Sequence, residues 1–257
     1  MNKYHSKSFF PMAAHLNEEC HQNGCSFFPS ATDTRPLAMD WWDVVALIRT
    51  DRQLFDQCQR LRAAYAQEGK RGQEYKSIKK RLPALTPCAL HDGGRGYEHF
   101  VAATGMVQVD LDEVESEDAL AEMIARVDAD PHTFLRYITP SGHGLRIIVK
   151  AGIKTTQNET EAPATPLTLQ EKGAGGRVVN YYSAWLQVNQ YFAALTGCPF
   201  DNNTKDITHL SFLAHDKTAY YNEASMPFAV LDKTDLQQSG EWRVESGEAT
   251  QRGSKNL

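Results

Sequence analysis

GMVQVDLD at residues 105–112, TFLRYIT at 133–139 and GLRIIVKAG at 144–152 decide the fold. The first alternates polar with valine-rich positions, the pattern of a strand with one face buried. The second and third read as strands joined by the tight turn PSGH at 140–143. Between the first two lies ESEDALAEMIARVDAD at 115–130, which sets Ala119, Leu120, Met123, Ile124 and Val127 on one helical face. Further on, VVNYYSAWLQVNQYFAALTG at 178–197 reads as a helix with Gly197 as its stop signal, and DITHLSFLA at 206–214 as a last strand. Strand, helix, strand, strand, helix, strand is the βαββαβ plan of the ferredoxin-like α+β fold. That plan places strand one between strands three and four, so the end of strand one should lie beside the starts of the other two. Asp110 and Asp112 end strand one; Ser141 and His143 precede strand three; Asp201 and Asp206 precede strand four. Residues far apart in sequence are thereby expected at one sheet edge.

Working outward, DWWDVVALIRT at 40–50 and DRQLFDQCQRLRAAYAQEGK at 51–70 predict two amphipathic helices with Asp40 and Asp51 as caps. EYKSIKKRLP at 74–83 predicts a third, ended by Pro83, with Lys76, Lys79 and Lys80 on one face. Gly93, Gly94 and Gly96 mark a loop around Arg95. Residues 1–38 read as an N-terminal arm, 153–176 as a Thr-, Pro- and Gly-rich insertion, and 231–257 as a polar tail.

The chain has 257 residues, 41% of them hydrophobic and 23% charged, which excludes a collagen-like, disulfide-scaffold or wholly disordered chain. The most apolar run, 41–48, is too short to span a membrane and carries Asp43. Residues 9–14 are too few, and broken by Pro11, for a signal-peptide core, so the expectation is an intracellular, cytoplasmic protein. His15, Cys20, His21 and Cys25 lie close together without a C-x-x-C pair, so a zinc site and free thiols in a loose arm are both open. Cys58, Cys88 and Cys198 read as small buried residues.

The net charge of −5 conceals a polarised chain. Lys70, Arg71, Lys76, Lys79, Lys80 and Arg81 form a basic run, whereas 110–130 holds nine acids and one arginine. These are either two solvated helix faces or the paired patches of an enzyme that holds nucleic acid and divalent metal. Two residues apart on a strand, Asp110 and Asp112 share a face and repel each other unless a cation or donor lies between them. Hard oxygens of this kind suit Mg²⁺ or Mn²⁺; the plainer alternative is that they end the strand and cap the next helix. In TPSGHGLRIIVK at 139–150, Gly142 and Gly144 allow close backbone approach, Ser141 and His143 can hold phosphate oxygens, and Arg146 and Lys150 add positive charge. The same stretch also reads as an ordinary glycine-rich hairpin turn. A third carboxylate comes from Asp201 or Asp206, each of which can equally cap a turn.

A hydrophobic strand ending D-x-D, then S-x-H, then a hydrophobic residue followed by Asp, resembles the three motifs of the archaeo-eukaryotic primase superfamily. Upstream YKSIKKRLPALTP (75–87) and downstream DITHLSFLAHDKTAYYN (206–222) are similar to its branch known as the VirE N-terminal domain family, found on bacterial mobile elements and beside some CRISPR loci. The resemblance covers residues 40–228. It implies a primase-polymerase domain over 39–230, with an RRM-like palm at 101–230 packed against an N-terminal helical part at 39–100. It implies that Asp110, Asp112 and Asp201 hold two Mg²⁺ or Mn²⁺ ions, and that His143 with Ser141 meets the phosphates of an incoming nucleoside triphosphate. Gly144 and Arg146 flank that contact, and Lys76, Lys79, Lys80 and Arg81 are the candidates for gripping a single-stranded DNA template. Related enzymes carry an arginine or lysine just after the third motif, where this chain has His209. A helicase, or integration and CRISPR proteins, are the partners implied. A non-catalytic nucleic-acid-binding replication-initiation module and a metal-dependent nuclease are the competing functions.

Overall fold

The computed structural model describes residues 24–112, 114–153, 165–166 and 181–231. Within them the chain forms an α+β fold. It opens with β1 (Gly24–Phe28) and β2 (Leu37–Asp40), continues through α1 (Trp41–Thr50), α2 (Arg52–Glu68) and α3 (Gln73–Arg81), and then forms β3 (Ala84–Thr86), β4 (Ala89–His91) and β5 (Phe100–Ala103). The central part follows as β6 (Met106–Leu111), α4 (Glu117–Ala129), β7 (Thr133–Ile138), β8 (Leu145–Ile153), β9 (Thr165–Pro166) and α5 (Tyr181–Thr196). Three short strands close the described chain: β10 (Ser211–Phe212), β11 (Tyr220–Tyr221) and β12 (Phe228–Val230).

The helix starts follow from the capping residues expected of them. Asp40 accepts a hydrogen bond from Trp42 N at 2.7 Å, and Asp51 from Leu54 N at 2.6 Å, each satisfying an amide the first turn leaves open. The turn from α2 into α3 is held by Glu68, whose Oε1 accepts from Tyr75 N at 2.7 Å. A Cβ on Gly72 would sit 2.1 Å from the Glu68 side chain, so any other residue there would push this cap aside.

In the central sheet β8 lies between β6 and β7, antiparallel to both. This is the expected neighbour relation of the first three strands of the βαββαβ plan. Side chains alternate as the pleat requires. Val107, Val109 and Leu111 of β6 and Leu145, Ile147 and Val149 of β8 bury against α4 and α5 in one core cluster. Ile148, with Phe134 and Tyr137 of β7, joins a second cluster with α1, α2 and the N-terminal strands. The sheet is thus buried on both faces, and Asp110, Asp112 and Arg146 belong to the face turned toward the N-terminal unit.

Two expectations need correction. Residues 24–38 are not an arm: β1 is buried along its length and pairs with β2 and β3 in a sheet ordered β10-β3-β1-β2. One of its two partners, β3, lies about sixty residues further along the chain, which local spacing does not reveal. The second correction concerns 206–214, which is not a fourth strand beside β6. Only Ser211–Phe212 is extended, and it pairs with β3. What remains of the fourth-strand position is one antiparallel bridge between Phe200 and Leu111. Pro199 offers no amide, and Asp201 caps a 3-10 turn at Asn202–Thr204, so the ladder stops after that pair.

Residues 1–23 of the expected arm, with His15, Cys20 and His21, lie outside the described residues, as do 232–257 and most of 153–176. Cys25 is a core residue of β1 whose thiol donates to the Met39 carbonyl at 3.7 Å. Among the described residues no helix is long and apolar enough to cross a membrane.

Candidate functional site

Register on β6 and β8 sets Asp110 opposite Arg146. Both are buried, at 6% and 5% exposure, and Arg146 Nη2 donates to Asp110 Oδ2 at 2.5 Å. Arg146 Nη1 donates to Ser211 Oγ at 2.8 Å, which ties β8 to β10 of the other sheet. Asp110 Oδ1 and Arg146 Nε are buried without a hydrogen-bond partner among the described residues. Burial pushes the Asp110 carboxyl up, opposed by Arg146 and reinforced by the charges of Asp112 and Asp201. For Arg146, burial pulls down, but Asp110 holds the guanidinium firmly charged.

Asp112 lies at the strand's end, half exposed, with Lys70 Nζ 3.3 Å from its Oδ2. The turn at 139–144 packs directly against this strand end. Thr139 N donates to Gly144 O at 2.9 Å, and Val114 N donates to His143 O at 3.0 Å. A Cβ on Gly144 would lie 2.2 Å from Leu111 O and 2.9 Å from Asp112 Oδ1, so only glycine permits the approach. From α2, Arg62 Nε donates to Pro140 O at 3.3 Å and braces the turn from the other side.

A cavity of about 220 Å³ opens between the two halves of the fold. Asp110, Asp112, Ser141 and Arg146 line it from the central sheet; Lys70, Tyr75, Lys76 and Lys79 line it from the α2–α3 side, with Phe212 beside them. Lys79 is half-buried, its Nζ 4.9 Å from the Phe212 ring centre and 5.9 Å from that of Tyr75. Burial lowers its pKa, as does the charge of Arg146, while Asp112 and Asp110 oppose the shift.

The structure therefore brings Asp110, Asp112, Ser141, Arg146, Lys76 and Lys79 onto one cavity. Gly144 sits directly behind its wall. His143 is exposed and is not among the lining residues; its ring lies 4.9 Å from that of Tyr65. Lys80 and Arg81 are exposed on α3 and also fall outside the lining, because the cavity meets only the Lys76–Lys79 edge of that helix.

Of the two candidate third carboxylates, Asp201 is the one beside the site: its amide donates to Asp110 O at 2.9 Å. Its carboxylate turns to its own loop, where Oδ1 accepts from Asn203 N at 2.9 Å and Asn203 Nδ2 at 2.8 Å. Asp206 Oδ1 accepts from Thr208 N and Oγ1 at 2.8 and 3.0 Å. His209 is half-buried, its pKa lowered by burial and then by Arg146, with Asp201 and Asp206 opposing the shift.

Among the described residues no three His, Cys, Asp or Glu side chains gather closely enough to hold one metal ion. Two carboxylates do line the cavity, and Asp110 keeps one buried oxygen unpartnered. That set suits a Mg²⁺ or Mn²⁺ ion that takes one or two carboxylates and completes its shell with phosphate oxygens and water.

Tyr75, Ser211, Phe212 and Arg62 carry parts of the site that sequence reasoning missed. Tyr75 and Phe212 show only core-like spacing, and Ser211 stands in an apolar run; no local signal marks any of them. Tyr181 and Trp185 are core residues of α5.

No curated protein and no solved structure matches the chain. The sequence model of one family, described as BT4734-like, N-terminal domain, matches residues 77–221. That span holds Lys79, both strand-end carboxylates, the glycine turn and Phe212, with Lys70, Tyr75 and Lys76 of the cavity lying before it, and it exceeds half of the 257 residues. The chain belongs to the BT4734-like N-terminal domain family, a family of the VirE N-terminal type.

Proposed function

We propose that this protein is a primase-polymerase: a metal-dependent enzyme of the archaeo-eukaryotic primase superfamily that makes or extends primers on single-stranded DNA by template-directed nucleotidyl transfer. The observation that supports the reading best is the sharing of one cavity by Asp110 and Asp112 with Ser141, Arg146 and two lysines. In this reading Asp110, through its unpartnered Oδ1, and Asp112 hold the divalent ion. A bound Mg²⁺ or Mn²⁺ supplies charge neutralisation at the transferred phosphate and lowers the pKa of the attacking 3′-hydroxyl. The chain's own part is positioning. Arg146 fixes Asp110 in one orientation, and Gly144 lets the 139–144 turn close on the strand end. Ser141 and the lysines face the substrate's phosphates in a partly dry site, where such contacts strengthen. Asp201 contributes negative charge from beside the Asp110 backbone. The proposed setting is the cytoplasm, with a helicase or integration and CRISPR proteins as partners.

Primer synthesis on single-stranded DNA, with ribo- and deoxynucleotides in turn and with Mg²⁺ or Mn²⁺, tests the reading. Synthesis that disappears in Asp112→Asn supports it, and undiminished synthesis by that variant refutes it. A second reading, a non-catalytic nucleic-acid-binding module, is favoured by the pairing of Asp110 with Arg146 and by the inward cap of Asp201. Such a module would hold DNA and leave nucleoside triphosphates unbound in a Mn²⁺ titration.

A further inference from the structure

We propose that Ser211, held by Tyr137, is a positioning residue for the metal: it keeps one amino group of Arg146 away from Asp110, so that Asp110 Oδ1 stays open to the divalent ion. The role rests on the nucleotidyl-transfer reading, and neither Ser211 nor Tyr137 belongs to the three motifs behind that reading.

Arg146 divides its guanidinium between the two sheets. Nη2 donates to Asp110 Oδ2 on β6, and Nη1 donates to Ser211 Oγ on β10 at 2.8 Å. Ser211 is held in its turn: the Tyr137 hydroxyl lies 2.9 Å from Ser211 Oγ and 3.2 Å from Phe212 O. A carbonyl only accepts, so the Tyr137 proton goes to Phe212 O. A guanidinium only donates, so Ser211 Oγ accepts from Arg146 and gives its own proton to Tyr137. Both hydroxyls are thereby ordered in one direction. Tyr137, Ser211 and Arg146 are all buried, so bulk water does not replace a partner that is lost.

An isolated pair of this kind prefers another arrangement. Guanidinium and carboxylate favour two parallel hydrogen bonds that engage both carboxylate oxygens. Here Arg146 meets Asp110 through one oxygen, and Oδ1 is buried with no hydrogen-bond partner among the described residues. The tie to Ser211 accounts for the difference, because an Nη1 committed to Ser211 is withheld from Asp110. Removing the hydroxyl frees a buried, charged donor, and the free oxygen of the same ion pair is the strongest acceptor open to it. The guanidinium then closes on both oxygens and competes with the ion for them. Ser211 comes from the N-terminal sheet, where β10 pairs with β3, so the opening of Oδ1 depends on how the two halves of the fold meet.

The test is the Mn²⁺ affinity of the full chain, read by electron paramagnetic resonance of the free ion well below the melting transition. Asp112→Asn defines which bound ion belongs to the site. Ser211→Ala is expected to weaken that ion about tenfold, the loss of one acceptor oxygen, and Tyr137→Phe about threefold, because it leaves the Ser211 hydroxyl in place but untethered. Tyr137→Phe removes a single oxygen atom, so it carries the test if Ser211→Ala folds poorly. Affinity held within about twofold in both variants overturns the proposal, even where melting temperatures fall, since that pattern belongs to a merely structural tie. A wild-type protein that binds no Mn²⁺ sensitive to Asp112→Asn overturns it as well. Primer synthesis, assayed alongside, judges the enzymatic reading separately. Mn²⁺ binding that depends on the Ser211 hydroxyl, without synthesis, upholds the positioning role and removes that reading; synthesis with Mn²⁺ affinity indifferent to Ser211 does the opposite.

Discussion

Arg146 stands opposite Asp110 across the β6–β8 ladder and donates to it at 2.5 Å, leaving the other Asp110 oxygen buried and unpartnered. A buried ion pair contributes little net stability, but removing one partner strands the other charge. Asp110→Ala is therefore expected to destabilise the fold by about 3–5 kcal/mol in urea unfolding. Asp112→Ala, which breaks only a half-exposed pair with Lys70, should cost about 1 kcal/mol or less. Equal costs would show that Arg146 does not depend on Asp110. This asymmetry makes Asp112 the cleaner position for judging activity.

Gly144→Ala should disable the site. The added methyl would meet backbone, Leu111 O at 2.2 Å, and backbone cannot swing aside as a side chain can. A stability loss of about 1–3 kcal/mol is expected, with primer synthesis lost along with it. Gly197→Ala makes a useful comparison: nothing lies within 4 Å of the new methyl, but its φ of +74° strains any other residue, so stability falls by about 1 kcal/mol and synthesis persists. Intact synthesis in Gly144→Ala would show that the turn need not close on Asp112.

Asp201→Asn keeps a side chain that caps the 202–204 turn, so the fold should be unchanged by circular dichroism. Its charge acts on Asp110 and Arg146 from outside the cavity lining. Synthesis should accordingly fall by about threefold to tenfold, less than in Asp112→Asn, because charge at a distance is worth a kcal/mol or so. A loss as complete as that of Asp112→Asn would make Asp201 a direct metal ligand.

His91, His209 and His215 all have pKa values lowered, burial being the first cause at each. The unfolded chain then binds protons at these positions more readily than the folded one below about pH 6.5. Stability should be fully present above that pH and decline as pH falls through the depressed folded values. Melting temperatures measured from pH 7.5 down to pH 5 should show the decline. His209→Asn should shallow it, and an unchanged slope would place His209 in a more solvated setting than the structure shows.

The sequence by itself determined the helices, the three central strands, and the pairing of Asp110 with Asp112 on one face. These follow from spacing and capping, which act over a few residues. The D-x-D end of β6, the glycine turn and the basic α3 were all legible because each carries its chemistry in a local pattern. What only the tertiary structure decided depends on contacts between distant segments. β1 hides in an apparent arm because its partners come from β2 and β3, and the expected last strand went to the other sheet once Pro199 and Asp201 had stopped the ladder beside β6. Lys79 separated from Lys80 because the rest of the fold covers one edge of α3. Burial then turned one lysine toward the carboxylates and left its neighbour in water, and no count of charges along the chain contains that difference.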